Sequence, residues 1–145
     1  MRQLAADFVV ERAFFGRSVL IVEDEYLLAD DLGQALSNLG AIVVGPCNSI
    51  VVALELLESS LEVDAAILDI DLDGHKIFPV ADVMIARGVP FVFSTGYDGS
   101  DVPERYSHVP LCVKPMTVGA VIGALSTIMT SASTLAPWTA AVTSL

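Results

Sequence analysis

At 145 residues the chain is long enough for one domain with a substantial core and too short for two ordinary ones. Hydrophobic residues make up 54% and charges are scattered without runs, which argues against disorder and for a packed globule. A net charge of −11, with seven Lys and Arg and none clustered, argues against nucleic acid as a direct partner, because phosphate binding needs grouped cations.

The N-terminal stretch MRQLAADFVVERAFFGR is interrupted by Asp7, Glu11 and Arg12 and lacks a small-residue cleavage pattern, so it does not read as a signal peptide and the cytoplasm is the expected compartment. SVLIVEDE is a short apolar run ending in acids, a strand; YLLADDLGQALSNLG then sets Leu28, Leu32, Leu36 and Leu39 at helical spacing before Gly40. The unit recurs as AIVVG with SIVVALELLESS, AAILDI with a helix through PVADVMIARG, PFVFSTG with a shorter polar stretch, and PLCVK with TVGAVIGALSTIMT. Cys47 and Cys112 are far apart without CxxC spacing and read as free thiols of a reducing compartment. From Pro115 onward there is no charged residue, but Ser126, Thr127, Thr130, Ser131, Ser133 and Thr134 dilute the stretch. Val118, Val121, Ile122, Leu125, Ile128 and Met129 share one helical face, the pattern of a helix on a core rather than in lipid, so no membrane role is expected.

Val19–Val22, Ile42–Val44, Ala65–Leu68 and Phe91–Phe93 are apolar on successive residues, as strands buried on both faces are. Such strands alternating with helices predict an α/β fold, a doubly wound five-stranded parallel sheet with helices on both faces. Ligands of this architecture bind at the carboxyl ends of the strands. Those ends carry Glu23, Asp24 and Glu25 after the first strand, Asp69 after the third, Ser94 and Thr95 after the fourth, and Lys114 with Pro115 after the fifth. Carboxylates gathered within about 5 Å repel by roughly 3 kcal/mol per pair at an effective dielectric of about 20, so Glu23, Asp24 and Asp69 want a cation. With oxygen donors only, the expected ion is hard, and Mg²⁺ suits two carboxylates plus a phosphoryl oxygen.

This ordered set resembles the receiver domains of bacterial two-component response regulators, over roughly Arg17 to Thr130. The matching features are the acidic pair Glu23 and Asp24, the acceptor Asp69, Thr95, and Lys114 followed by Pro115. PFVFSTGYDG looks further like the mostly single-domain FATGUY receivers of alphaproteobacteria, with Ser94 in place of the usual Ala. The resemblance implies the flavodoxin-like strand order 2-1-3-4-5 and phosphoryl transfer onto Asp69 from a sensor histidine kinase or histidine phosphotransferase. It also implies Asp24 and Asp69 as direct Mg²⁺ ligands joined by the backbone carbonyl of Asp71, Glu23 acting through water, and Lys114 and Thr95 on phosphoryl oxygens. No residues remain for an output domain, so a stand-alone signalling receiver or phosphate sink is expected, acting on a downstream protein target rather than as a conventional enzyme.

Two other readings compete for the string LDIDLDG. Asp69, Asp71, Asp73 and Gly74 match half an EF-hand loop, but the position of its bidentate Glu is Val80 and a strand precedes it. A haloacid-dehalogenase-type Mg²⁺-dependent phosphatase also uses D-x-D, yet carries its acidic pair late in the chain, whereas Glu23 and Asp24 come first. It stands as the alternative.

The sequence also departs from common receivers. Leu111 occupies the place where many carry an aromatic switch, and Gly96, Gly99, Pro103 and Pro110 predict a short or irregular fourth helix. His75 and His108 read as loop residues without metal spacing. The expected division is an extension over 1–16, the receiver over 17–130 and an apolar tail over 131–145. Phe8, Val9, Phe14, Phe15, Leu135 and Trp138 are expected to fold back or to join subunits. Gly119 and Gly123 leave a homodimer face on the last helix open beside plain core packing.

Overall fold

The computed structural model describes residues 10–59 and 62–134. In chain order the elements are helix α1 (residues 10–14), β1 (Ser18–Val22), α2 (Tyr26–Asn38), β2 (Ile42–Cys47), α3 (Ile50–Glu58) and β3 (Ala65–Asp69). They continue with β4 (Asp71–Leu72), β5 (His75–Lys76), α4 (Phe78–Arg87), β6 (Phe91–Thr95), a 3₁₀ turn (Glu104–Tyr106), β7 (Leu111–Val113) and α5 (Val118–Thr134). Five strands form one sheet in the order β2-β1-β3-β6-β7, every pairing parallel, which is the doubly wound parallel sheet expected from the strand pattern, in the order 2-1-3-4-5 that the resemblance implied.

Successive apolar residues on each strand serve opposite faces, and two cores result. Val19, Ile21, Ala65, Ile67 and Val92 pack with Phe14 of α1, Leu32 and Leu36 of α2, and Val121, Ile122 and Leu125 of α5. On the other face Leu20, Val22, Ala66, Leu68, Phe91 and Phe93 pack with Ala53 and Leu57 of α3 and with Val80, Ala81 and Met84 of α4. Each large aliphatic side chain so buried contributes about 1.5–3 kcal/mol, so the sheet is held from both sides.

Local chemistry sets the element ends. The Ser49 hydroxyl accepts from Val52 N–H at 3.2 Å and caps α3, while α4 stops at Gly88, whose φ of 69° is left-handed. Between Asp69 and α4 the chain turns back as a two-stranded antiparallel hairpin, β4 against β5, with Asp73 (φ 50°) and Gly74 (φ 84°) at its tip. Asp-Gly is the pair that tolerates two consecutive positive φ values, so half of LDIDLDG is a hairpin turn. His75, expected in a loop, lies on β5, and His108 lies in a turn.

The helix expected between the fourth and fifth strands of the main sheet, β6 and β7, is reduced to the 3₁₀ turn at Glu104–Tyr106, as the Gly and Pro spacing predicted. Beneath it is a cavity of ≈ 270 Å³ lined by Phe93, Val102, Tyr106, Val109 and Leu111 among others. Phe14 is fully buried, whereas Phe15 is exposed against Gly40. α5 runs to Thr134, beyond the boundary expected at 130, and buries Val121, Ile122 and Leu125 while Gly119 stays exposed. Phe8, Val9, Leu135 and Trp138 lie outside the described residues. Among the described residues no helix is long and apolar enough to cross a membrane.

Candidate phospho-acceptor site

Parallel strands of similar length deliver their carboxyl ends to one rim, and the register shows which residues share it. Val22 pairs with Leu68 across β1 and β3, Asp69 with Ser94 across β3 and β6, and Thr95 with Val113 across β6 and β7. Glu23, Asp24, Asp69, Thr95 and Lys114 are therefore at or just beyond the last residues of neighbouring strands.

One carboxylate oxygen from each of Glu23, Asp24 and Asp69 lies within 4.8 Å of the other two. Glu23 and Asp69 are 2% and 3% exposed, while Asp24 faces solvent, so the cluster is a buried pair with one open side. The Lys114 ammonium lies 3.1 Å from Glu23 Oε1 and 3.2 Å from Asp69 Oδ2, and it also contacts the Glu25 carboxylate. Its backbone N–H donates to Thr95 O at 2.7 Å, which fixes the root of the lysine against the neighbouring strand.

Backbone donors complete the frame. Glu25 N–H donates to Glu23 Oε1 at 3.0 Å, Asp71 N–H to Asp69 Oδ1 at 3.2 Å and Asp73 N–H to Asp24 Oδ2 at 3.2 Å. The Thr95 hydroxyl is buried and accepts from Tyr97 N–H at 3.2 Å. The Asp71 side chain does not join the three clustered carboxylates: it is turned to Lys76, Nζ to Oδ2 3.1 Å.

Burial pushes the Asp69 carboxyl up, the hydrogen bond and charge of Glu23 push it further, and Lys114 with the Asp71 N–H offset only part of this, leaving it at about 8. Burial pulls the Lys114 ammonium down, but Glu25, Asp69 and Glu23 outweigh it and hold the amine above its ordinary value. One ammonium thus serves three carboxylates, two of them buried. Glu23 Oε2 is buried without a hydrogen-bond partner, which marks an excess of acceptors over donors. An all-oxygen set with a buried orphan acceptor and one solvent-facing carboxylate fits a hard divalent cation.

Two participants were not assigned roles from the sequence. Glu25 is the third carboxylate on Lys114, and Lys76 joins the hairpin after Asp69 to Asp101 at 3.1 Å. For Glu25 its place in EDE was the available signal; for Lys76 the signal was the Asp-Gly turn that places it opposite Asp71.

No family model matches the chain. The Phyllosphere-induced regulator PhyR of Methylorubrum extorquens is 34% identical over 107 residues, which are 72% of this chain and 36% of PhyR; the chain therefore spans about a third of that curated relative. The solution structure of SdrG from Sphingomonas melonis is 38% identical with a TM-score of 0.64, covering 78% of this chain and 97% of SdrG. The receiver domain of the PhyR response regulator from Erythrobacter litoralis is 25% identical with a TM-score of 0.68, covering 80% of this chain and 92% of that domain. Acidic pair, central aspartate, threonine and lysine meet at one rim of the same fold, and the chain belongs to the receiver domains of two-component response regulators.

Proposed function

We propose that Asp69 accepts a phosphoryl group from a phosphohistidine on a sensor kinase or histidine phosphotransferase, and that the phosphorylated chain signals through protein contacts or serves as a phosphate sink in the cytoplasm. The observation that carries this reading is the convergence of Glu23, Asp24 and Asp69 within 4.8 Å, with the Lys114 ammonium 3.2 Å from Asp69.

An Asp69 oxygen attacks phosphorus, the bond from phosphorus to the donor imidazole breaks, and the imidazole nitrogen keeps the electron pair. Lys114, already beside Asp69 Oδ2, neutralises charge on the transferred group and holds the acceptor in place. Asp24 and Asp69, with the backbone carbonyl of Asp71 and with Glu23 through water, would hold Mg²⁺. When bound, that ion supplies charge neutralisation of phosphoryl oxygens. Thr95, now held by Tyr97 N–H, would exchange that partner for a phosphoryl oxygen, and the loop after β6 would carry the change by population shift.

Incubation with acetyl phosphate and Mg²⁺ followed by intact-mass measurement tests the proposal. One phosphoryl group per chain, acid-stable, alkali-labile and absent from Asp69→Asn, is the expected result. Continuous turnover of a phosphate ester would instead favour the phosphatase.

A further inference from the structure

Asp71 stands next to the acceptor, its N–H on Asp69 Oδ1, yet its carboxylate points across the hairpin. There Lys76 Nζ meets Asp71 Oδ2 at 3.1 Å and Asp101 Oδ2 at 3.1 Å. Asp101 belongs to the loop that follows Thr95, so one amine ties the acceptor hairpin to that loop. Lys76 also lies 6.0 Å from the centre of the Tyr97 ring. An open cavity of ≈ 490 Å³ lined by Asp71, Lys76, Tyr97, Asp98, Ser100 and Asp101 gives water room beside them. Asp101 first, then Asp71, raises the proton affinity of Lys76, so the amine stays charged.

Resting on the assignment of Asp69 as acceptor, we propose that Lys76 is a positioning residue that prolongs the life of the phosphorylated state by keeping the Asp71 carboxylate engaged. In hydrolysis a water oxygen bonds to phosphorus and the bond from phosphorus to the Asp69 oxygen breaks. The electron pair returns to the Asp69 carboxylate, and both water protons leave on the released phosphate. A carboxylate swung free from Lys76 accepts a hydrogen bond from that water and aligns it; a carboxylate held by Lys76 does not. The inter-loop tie to Asp101 is separable from this effect, because Asp101 can be neutralised with Asp71 and Lys76 still paired.

The test is to phosphorylate the full chain with acetyl phosphate and Mg²⁺, remove the donor and follow intact mass with time. Four variants accompany the wild type: Lys76→Met, Asp71→Asn, Lys76→Met/Asp71→Asn and Asp101→Asn. Expected are phosphoryl loss roughly three- to tenfold faster in Lys76→Met, a double variant no faster than Asp71→Asn, and Asp101→Asn as slow as wild type or slower. Equal lifetimes in wild type and Lys76→Met overturn the proposal. Shortening in both Lys76→Met and Asp101→Asn that persists in the double variant also overturns it, since that pattern reports loosened loops. A wild-type chain that takes up no phosphoryl group overturns the assignment of Asp69 and this inference with it, whereas phosphorylation with unaltered lifetimes overturns the inference alone.

Discussion

Replacing Asp69 by Asn should stabilise the metal-free protein, and the gain should grow with pH. The Asp69 carboxyl is held at about 8 against an ordinary 3.8, so the folded state binds its proton more tightly than the unfolded chain. As pH rises from about 4 the unfolded state is the first to lose that proton, and wild-type stability falls until the folded group ionises near 8. Each tenfold difference in proton affinity is worth about 1.4 kcal/mol, which caps the cost near ~6 kcal/mol at pH 8 and above. Water entry and side-chain relaxation recover about half of such a penalty, leaving roughly 2–3 kcal/mol. Asn removes the buried charge and brings an amide donor beside Glu23, whose Oε2 has none. A gain of that size raises Tm by about 5–10 °C in a chain of this length. Urea unfolding in EDTA at pH 5, 6.5 and 8 measures it: wild type should weaken with pH, and Asp69→Asn should weaken less. Mg²⁺ should then stabilise wild type more than the variant. Parallel pH profiles for the two proteins, or a gain as large at pH 5 as at pH 8, would refute the reasoning.

Lys114→Met leaves Glu23 and Asp69 without their ammonium and should cost about 3 kcal/mol at pH 8. That loss should shrink at pH 5, where a protonated Asp69 needs no countercharge; a loss independent of pH in chemical unfolding would count against the charge assignment. Ser94→Ala removes a hydroxyl that is fully buried without a partner, and a thermal melt should show a gain of about 1 kcal/mol. A lower Tm would show that the hydroxyl is satisfied in solution. Tyr106→Phe deletes a hydroxyl that donates to the Asp82 carboxylate and lies 3.3 Å from Phe78 O. Stability from urea unfolding should fall by about 1.5 kcal/mol, the low end for a hydrogen bond to a charged group, because half-exposed Asp82 regains water.

The sheet was legible because each strand is a run of apolar residues ending abruptly in polar ones, and burial on both faces demands such runs. The same property made the rim legible: Glu23, Asp24, Asp69, Thr95 and Lys114 are each found where a run stops. Contacts decided by how loops approach one another were not. Lys76 meets Asp101 across 25 positions, and no periodicity relates them. The β4–β5 hairpin was available in Asp73-Gly74, but acids on alternate positions drew attention to chelation instead of to turn geometry. Phe14 and Phe15 are adjacent and equally apolar, yet one is fully buried and the other 74% exposed. The direction of a helix only five described residues long separates them, and composition does not carry direction.

Gly99, at φ 82°, lies directly against Leu111: a Cβ built on it would fall 2.2 Å from Leu111 Cδ2. Main chain therefore lies directly against the Leu111 side chain at the end strand of the sheet. A side chain at position 99 would push Leu111 toward the cavity beneath the 3₁₀ turn, which Gly99 and Leu111 both line. Position 99 is thereby reserved for glycine twice over, by its left-handed backbone and by the leucine pressed against it.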